Sequence, residues 1–290
     1  MELRHLQYFL MIAREGTISG AAQALHLSQP SLSRQMHDLE RELGCKLFDR
    51  GSRHIELTEA GMRLRRRAEE IIDLVGRTES ELLITGSTLS GEVRIGGGET
   101  QTMALIADVI AELQETYPLI RFSLVSGNAE LVDEWLNMGR LDVGMFIGYN
   151  KLDRYETLSL PACDTWGVLM RRDDPLAQAQ SIHVNDLVGL PLVLSRQADR
   201  AIQSWFGDQL PHLDVVATYN LLFNATLLAR RGVGYVVCLD GIVETSEESG
   251  LAFRPLEPAL HADVTLAWKR YQAFSPASEV FLKRIRELWG

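Results

Sequence analysis

The sequence contains few cysteines and no long apolar run, and each absence excludes a class of protein. Three cysteines, Cys45, Cys163 and Cys238, are spread over 290 residues without a CxxC pair or a histidine at metal-ligand spacing. So sparse and odd a set argues against a disulfide framework or a metal site and favours reduced thiols. No stretch approaches the ~18 consecutive apolar residues that a helix needs to span a bilayer.

The sequence also lacks the signals of secretion and of common catalytic sites. Its first residues, MELRHLQYF, contain neither the basic nor the apolar region of a signal peptide. It has no Gly-x-Ser-x-Gly elbow, P-loop or HExxH motif, and Asp173 and Asp174 before Pro175 are typical of a turn. We expect a cytoplasmic protein with no membrane partner, no catalytic residue, no metal and no cofactor.

The charge is unevenly distributed along the chain. The net charge is −10, yet residues 1–68 carry 11 Lys and Arg against 8 Asp and Glu, while the remaining 222 residues carry 18 against 31. A polyanionic partner is therefore expected to bind the N-terminal end. The length exceeds that of one typical hydrophobic core, which predicts more than one domain.

Residues 17–34, TISGAAQALHLSQPSLSR, predict two short helices joined by a tight turn. Thr17 is placed to cap the first helix and Ser28 the second, and Pro30 falls in a first turn, where a missing N–H costs nothing. Apolar residues recur at helical spacing on one face of the second helix until Gly44 ends it. The opposite face begins with polar groups at the end that a recognition helix presents to base edges.

Residues 46–57, KLFDRGSRHIEL, predict a short hairpin after the second helix. Two strand-like runs flank a turn at Gly51 and Ser52, and Arg50, Arg53 and His54 lie on or near its tip. Basic residues on such a wing suit phosphates or the minor groove. An ordinary amphipathic helix pair with a charged hairpin has the same pattern, so the residues alone leave both interpretations open.

Residues 1 to about 60 resemble the winged helix-turn-helix of the LysR-type transcriptional regulators. The family pattern runs AA, a leucine, SQPxLSRQ, LExxLGxxLFxR and LTxAG, and the chain matches it in order from Ala21 to Gly61. The resemblance implies contacts of the second helix with bases and phosphates, and of Arg53 with the minor groove. The residues that it implicates on double-stranded promoter DNA are Ser28, Gln29, Pro30, Ser31, Ser33, Arg34, Arg50 and Arg53.

A heptad-like seam follows Thr58, which is placed to cap a long helix. Such a seam packs either on its own chain or on a second one. By resemblance this is the family's linker helix, through which two chains dimerise. The predicted dimerisation residues are Leu64, Ala68, Ile71, Val75 and Leu82. Four arginines of this helix either approach the DNA backbone or form a solvated cluster: Arg63, Arg65, Arg66 and Arg67.

Residues 86–91, GSTLSG, are small and uncharged and predict a hinge. Beyond them short apolar strands alternate with helices, which predicts a mainly parallel α/β sheet. The predicted elements lie at 92–96, 102–117, 120–125, 129–138, 141–147, 165–170, 192–195, 215–219 and 233–237, with a closing helix at 275–288. We expect two lobes, linked by crossing strands, with a cleft between them.

The loop from Gly96 to Thr102, GGGETQT, follows the first predicted strand of this region. Hydroxyls and free N–H groups at a helix start suit a carboxylate or another small anion. The loop lacks the third glycine of a dinucleotide motif, and ordinary loop and cap chemistry accounts for the same residues. It is the best candidate for a ligand site that the residues alone provide.

The rest of the chain resembles, more weakly, the periplasmic-binding-protein-like effector domain of the same family. The resemblance lies in the spacing of the elements and in the runs LDVG at 141–144 and GVGY at 232–235. It implies an inducer cleft, and the residues that it places there are Thr100, Gln101, Thr102, Ser126, Ile147, Gly148, Ser195, Arg196, Gln197, Asn220 and Phe223. Arg196 offers a fork to a carboxylate, although a surface pair with Asp199 explains it equally well.

The sequence thus predicts an α/β protein with an N-terminal winged helix-turn-helix at 1–58, a linker helix and hinge at 59–91, and a two-lobed effector domain at 92–290. Lobe I is expected at about 92–160 and 268–290, and lobe II at about 161–267. The expected function is a DNA-binding transcriptional regulator whose promoter binding or activation responds to a small organic acid or similar anion. Its expected partners are promoter DNA, RNA polymerase and further copies of the chain, as a homodimer or homotetramer.

An alternative function is a ligand-independent architectural regulator whose α/β domain only oligomerises. A filled cleft without inward-facing polar groups would favour that alternative.

Overall fold

The computed structural model describes residues 1–50, 55–82, 89–149, 151–196 and 200–290. The chain divides into two compact units, an N-terminal unit of residues 1–85 and a C-terminal unit of residues 86–290. This boundary falls inside the predicted linker. The predicted wing turn at 51–54 and residues 86–88 of the predicted hinge lie outside the described residues. No helix within the described ranges is long and apolar enough to cross a membrane.

The N-terminal unit combines helices with a two-stranded hairpin, as predicted. Its described elements are α1 (Leu3–Glu15), α2 (Ile18–Ala24), α3 (Gln29–Leu43), β1 (Phe48–Arg50), β2 (Ile55–Leu57) and α4 (Glu59–Leu82). The predicted caps are confirmed, since Thr17 Oγ1 accepts from the N–H of Gly20 at 3.1 Å and Ser28 Oγ from that of Ser31 at 3.4 Å. Gly44 ends α3 with a left-handed φ of 68°.

The core of the N-terminal unit lies where α1, α2, α3 and α4 converge. Phe9, Leu32 and Leu39 are completely buried there, and Ala68 of α4 packs against the same cluster. Gly61, in the first turn of α4, passes close to the backbone before β1, because a Cβ on Gly61 would come within 2.1 Å of the Leu47 carbonyl oxygen. A glycine therefore allows the long helix to start against the wing.

The C-terminal unit alternates strands and helices. Its described elements are β3 (Ser90–Gly97), α5 (Met103–Thr116), β4 (Leu119–Ser126), α6 (Ala129–Asn137), β5 (Val143–Ile147), β6 (Tyr155–Arg171), β7 (Ile182–His183), β8 (Pro191–Ser195), α7 (Arg200–Phe206), β9 (Asp214–Tyr219), α8 (Leu222–Arg230), β10 (Tyr235–Leu239), β11 (Leu251–Glu257), β12 (His261–Lys269) and α9 (Pro276–Trp289). Short 3-10 turns lie at Pro175–Gln178, Val184–Asp186 and Gly207–His212. Strand β3 includes Ser90 and Gly91, which the sequence had placed in the hinge.

The sheet is mixed rather than mainly parallel. Among the described residues its main path runs β4-β3-β5-β12-β6-β10-β8-β9, with β11 on β6 and β7 on β11. Strands β3, β4 and β5 pair in parallel, as do β8, β9 and β10, so the prediction holds for each flank. It is wrong at the centre, where β6 and β12 run antiparallel to their neighbours because they carry the chain between the lobes.

Two separate cores define the lobes. The lobe I core gathers residues of β3, β5, α5 and α9, and the lobe II core gathers residues of β6, β8, β10 and α7. Strand β6 contributes Leu160 to the first core and Trp166 to the second. Strand β12 contributes Ala262 to lobe II but Val264 to lobe I, so this crossing comes earlier in the chain than the predicted boundary at 267.

Candidate functional site

Helix α3 presents a polar N-terminal surface over a buried apolar face. Leu32, Met36 and Leu39 point into the core, which fixes the rotation of the helix. Of the predicted DNA-contacting residues on this helix, Ser33 is half-buried and the others are exposed: Ser28, Gln29, Pro30, Ser31 and Arg34. The structure thus brings these six residues together at one end of α3.

The turn between α2 and α3 holds the second helix close to the first. His26 adopts a left-handed φ of 55°, and the N–H of Leu27 donates to the Ala22 carbonyl at 2.8 Å. Ala21 and Ala22 are buried at the crossing, where small side chains let the helices approach. This is the helix-turn-helix geometry that the sequence predicts.

The wing is anchored by a buried carboxylate that the sequence analysis missed. Glu40 Oε1 accepts from the backbone N–H groups of Leu47 at 2.8 Å and Phe48 at 3.4 Å, and Lys46 Nζ lies 3.2 Å from Oε2. Burial raises the pKa of Glu40, but these hydrogen bonds and the charge of Lys46 outweigh it and leave that pKa lowered. Glu40 thereby ties α3 to β1.

The wing strands pair in register, with Phe48 opposite Leu57 and Arg50 opposite Ile55. The side chain of Arg50, and Arg53 and His54 as a whole, lie outside the described residues. Their assignment to DNA therefore stays a prediction.

Helix α4 places its predicted seam residues in different environments. Ala68 is buried in the core of its own unit and is not available to a second chain, whereas Leu64 is half-buried against the same core. Ile71 is exposed and Val75 is half-buried, while the side chain of Leu82 lies outside the described part. At Ala68 the seam is thus an intrachain contact, because the core of the N-terminal unit already covers it.

The arginine cluster of α4 is largely paired within its own helix. Arg67 lies 2.8 Å from Glu70, Arg65 lies 3.1 Å from Glu69, and Arg63 lies 3.6 Å from Glu59. These pairs favour the solvated surface cluster over a set of phosphate contacts.

A cleft of about 200 Å³ opens between the lobes of the C-terminal unit. Its floor and walls come from the carboxyl ends of β3 and β5 in lobe I and of β8 and β9 in lobe II, which is where α/β sheets bind ligands. The N-termini of α6 and α8 also border it. The volume is below the 300–1,000 Å³ of drug-sized sites, so it suits a small metabolite.

The cleft contains about half of the predicted effector residues. Ile147, Gly148, Ser195, Arg196 and Asn220 line it. The other described candidates do not: Thr100, Gln101, Thr102, Ser126 and Phe223. Gln197 lies outside the described residues.

Thr100 and Thr102 do not face the cleft because both hydroxyls bind Asp164. Thr100 Oγ1 and Thr102 Oγ1 donate to the two carboxylate oxygens of Asp164, the latter at 3.0 Å, and Thr100 Oγ1 also accepts the N–H of Thr102. All three side chains are buried. Asp164 lies on β6 between the two cores, so this group fastens the start of α5 to a crossing strand.

Ser126 and Phe223 project to the surface. Ser126 is exposed at the end of the edge strand β4, and 66% of Phe223 is exposed on the first turn of α8. Gln101 is exposed too, next to Gly241 of lobe II.

A hydrogen bond between lobes crosses the cleft at Glu99. The backbone N–H of Leu222, the first residue of α8, donates to Glu99 Oε2 at 2.6 Å. The N-cap residue Leu221 makes no side-chain cap bond. A carboxylate from lobe I thus caps a helix of lobe II, where the helix dipole favours negative charge.

The charges of the cleft differ between its two sides. Glu99 and Glu130 line it from lobe I and Arg196 from lobe II, where Arg196 Nε donates to Thr218 Oγ1 at 3.2 Å. Burial, with the carboxylates of Asp133 and Glu130, raises the pKa of Tyr149, so this lining phenol stays protonated. Among the described lining residues the cleft therefore offers one cation, Arg196 of lobe II, and two carboxylates on the side of lobe I.

Trp166 adds an aromatic wall. Its indole lines the cleft and is 7% exposed, and its buried Nε1 has no hydrogen-bond partner among the described residues. Apolar surface beside it comes from Leu239 and Ile242.

Comparisons with known proteins cover both units. Residues 3–62 match the family described as bacterial regulatory helix-turn-helix protein, lysR family, and residues 86–290 match the LysR substrate binding domain. This chain belongs to the LysR family. The family consists of transcriptional regulators, which are not enzymes.

Individual relatives support the membership of this chain in the LysR family. The regulator TfdT of Cupriavidus pinatubonensis is 32% identical over 69% of the chain and 87% of its own length. The Hca operon transcriptional activator HcaR of Escherichia coli is 29% identical over 99% of the chain and 98% of its own length. The structure of full-length CbnR complexed with its target DNA has a TM-score of 0.79 at 22% identity and covers 99% of both chains, which shows the same fold.

Sequence reasoning on this LysR-type regulator missed Glu99, Glu130, Tyr149 and Trp166 as cleft residues. Glu99 sits inside the glycine-rich loop that was singled out, between Gly98 and Thr100, and an acidic residue before a helix start was the available signal. The other three depend on how distant elements meet. Trp166 in particular lies on a crossing strand that serves both lobes.

Proposed function

We propose that this LysR-type regulator binds double-stranded promoter DNA through α3 and the wing, and that a small organic acid or similar anion held between its lobes modulates promoter binding or activation. It works where its promoter lies, in the cytoplasm. The observation that carries the proposal is the joint presence of an exposed polar N-terminus on a well-anchored α3 and a small polar cleft in the second unit.

The DNA-binding part rests on α3. Helix N-termini favour phosphate oxygens, and the short or planar side chains of Gln29, Ser31 and Arg34 suit base edges in the major groove. Glu40 and the core residues below hold this helix rigidly, which a reading element needs. The similarity to CbnR, whose structure was determined with its target DNA, supports the same partner here.

The effector part rests on polar groups that converge on the cleft. The guanidinium of Arg196, the hydroxyl of Ser195 and the amide of Asn220 come from the ends of two adjacent strands of lobe II. An arginine fork beside neutral hydrogen-bond donors is well suited to a carboxylate. The alternative of an architectural regulator expects a filled cleft without inward polar groups, and the described cleft is open and lined by polar as well as apolar side chains.

For transmission we propose that effector binding changes the relation of the lobes and, through an oligomer, the geometry of the DNA-reading heads. An effector shifts this equilibrium only if it binds one arrangement of the lobes better than the other. A homodimer or homotetramer and contact with RNA polymerase are part of the proposal. Exposed apolar side chains on α4 below the core, Ile71 and Leu74, are available for such an assembly.

The DNA-binding part is tested with sites selected from a random duplex library by the full-length protein. Arg34→Ala is expected to weaken binding to the selected site by about tenfold or more, the range of a lost base contact. Arg14→Ala, an equal charge loss on an exposed arginine of α1, is the matched control. Unchanged affinity of Arg34→Ala would overturn the assignment of α3.

The effector part is tested by thermal unfolding of the full-length protein with a panel of small carboxylates. A ligand at ~100 times its dissociation constant stabilises the folded state by about 2.7 kcal/mol. We expect a saturable shift that Arg196→Ala removes and Arg230→Ala, an exposed arginine at the far end of α8, retains. An absence of any shift across the panel would favour the architectural alternative.

A further inference from the structure

Glu99 occupies the N-terminus of α8 at the edge of the cleft, a position that would otherwise favour an anion. It is half-buried, lines the cleft and holds the first N–H of α8 through Oε2. Because the N-cap residue of α8 provides no side-chain cap, the positive end of this helix is neutralised by the chain's own carboxylate. A carboxylate of an effector would have to displace Glu99 to bind there.

The second carboxylate of the cleft, Glu130, adds to the repulsion of an anion on the lobe I side. Glu130, in the first turn of α6, lines the same lobe I side as Glu99. Like charges in a partly enclosed cleft repel strongly, because the local dielectric is lower than that of water. A dicarboxylate that places one end at Arg196 would bring its other end against Glu99 and Glu130.

An ammonium group has the opposite relation to this side of the cleft. Among the described residues Glu99 Oε1 accepts no hydrogen bond, so it is open to a cationic donor, and charge-assisted bonds of this type are the strong ones. The aromatic side chains Trp166 and Tyr149 line the same space, and aromatic faces attract ammonium groups. A short apolar spacer would then lie against Ile147 and Leu239.

We propose that the effector is a small amino-carboxylic acid, with its carboxylate at Arg196 and its ammonium at Glu99, and that Glu99 is the specificity-determining residue that excludes dicarboxylates. This inference rests on the proposed function, since it names the class of acid bound in the same cleft. The hydrogen bond from Leu222 holds the Glu99 carboxylate in place, so its position is set before the effector binds.

The test compares matched pairs of probes that share a spacer and differ at one end. Glycine, β-alanine and γ-aminobutyrate are paired with malonate, succinate and glutarate, and binding to the full-length protein is followed by calorimetry and by intrinsic tryptophan fluorescence, to which Trp166 of the cleft contributes. We expect at least one ammonium member to bind the wild type about tenfold more tightly than its dicarboxylate partner, the effect of one charge-assisted contact.

Glu99→Gln removes the charge but keeps an oxygen that accepts the N–H of Leu222. We expect this variant to lose the discrimination, with the ratio of the two affinities falling about tenfold. Glu134→Gln, an equal charge loss on the exposed side of α6 and away from the cleft, should keep the wild-type ratio. The comparison of probes on the wild type tests the charge selection even if Glu99→Gln fails to fold.

The outcomes separate this inference from the proposed function. If dicarboxylates bind the wild type as tightly as their ammonium partners, the charge selection is wrong and the anion-binding cleft stands. If the wild type selects the ammonium members and Glu99→Gln keeps the same ratio, the assignment of Glu99 is wrong. If no carboxylate of either kind binds the wild type, the inference and the proposed effector class both fail.

Discussion

The two units of the chain secure their functional elements in different ways. In the N-terminal unit the caps of three helices lie three positions from the N–H groups that they accept, at Thr17, Ser28 and Thr58. In the C-terminal unit the decisive polar contacts join residues 62, 64 and 123 positions apart, at Thr102, Thr100 and Glu99. Hydrogen bonds between sequence neighbours thus define the helix starts of the DNA-reading unit, whereas the side-chain positions around the cleft depend on contacts between distant strands and helices.

The two units can also be followed by different measurements. All five tryptophans lie beyond residue 130, so tryptophan fluorescence follows the C-terminal unit, while circular dichroism and DNA binding also follow the N-terminal unit. Substitutions in either unit can be compared on this basis.

The largest effect is expected for Gly61→Ala. The new Cβ would lie 2.1 Å from the Leu47 carbonyl oxygen, and that backbone atom cannot move without disturbing the wing. We expect a loss of about 3 kcal/mol in the stability of the N-terminal unit, together with a loss of DNA binding. Chemical denaturation followed by circular dichroism measures the first, and titration with selected DNA the second.

Gly76→Ala is the matched control within the same helix. Among the described residues no atom lies within 4 Å of the added Cβ, and alanine favours the helix, so stability should rise slightly. Equal losses in the two variants would show that the close approach at Gly61 is not the cause.

Asp164→Ala is expected to have the largest effect in the C-terminal unit. It leaves the buried hydroxyls of Thr100 and Thr102 without their acceptor, which costs about 2 kcal/mol. Tryptophan fluorescence should show earlier unfolding in urea, while the affinity for the selected DNA site measures the other unit. Asp263→Ala, an exposed aspartate on β12, should leave the unfolding curve in place. A normal curve for Asp164→Ala would contradict the fastening role of this residue.

Glu40→Gln is expected to cost about 1.5 kcal/mol at neutral pH, since a charge-assisted anchor becomes a neutral one. The folded pKa of Glu40 lies below its ordinary value of 4.5, so the carboxylate form stabilises the folded state. This contribution is complete above the unfolded pKa and is lost as the pH falls through the folded one. The difference between wild type and variant should therefore shrink below about pH 4.5, measured by urea unfolding at successive pH values. A constant difference would refute the linkage.

The smallest effect is expected for a local cap. Ser28→Ala removes the acceptor for the N–H of Ser31 and should cost about 1 kcal/mol. Ser31→Ala removes an exposed hydroxyl from the same turn and should leave stability unchanged, although it contacts DNA in the proposed complex. Thermal unfolding separates the two. Equal stability of both variants would show that the Ser28 cap does not stabilise α3.

The same contrast explains how much of the protein could be predicted. The helix-turn-helix, its caps and the wing followed from the sequence because Thr17, Ser28, Pro30 and Gly44 act on their immediate neighbours. The alternation of strands and helices gave the two-lobed architecture for a similar reason. The antiparallel centre of the sheet did not follow, because the direction of β6 and β12 depends on how the lobes connect.

The cleft was predicted by location rather than by residue. The family resemblance implied Ile147, Gly148, Ser195, Arg196 and Asn220, and these residues line the cleft, where the carboxyl ends of parallel strands share one edge. The hydroxyls of Thr100 and Thr102 were misplaced because their acceptor, Asp164, is far away in the sequence. Similarly, Ala68 matches a dimer seam in spacing, but the core of its own unit buries it.

Strand β6 has a further consequence for how the two lobes move. It is 17 residues long, about 55 Å when extended, and belongs to both lobes without interruption. Its hydrogen-bonded neighbours hold it along most of its length, and the pairing with β12 shifts register between Asp263 and Thr265, close to where the strand passes from one lobe to the other. For the proposed effector response we expect the motion of the lobes to be shared as a small added twist over many residues of this strand, so that the elastic stiffness of β6 determines how much binding energy the motion requires.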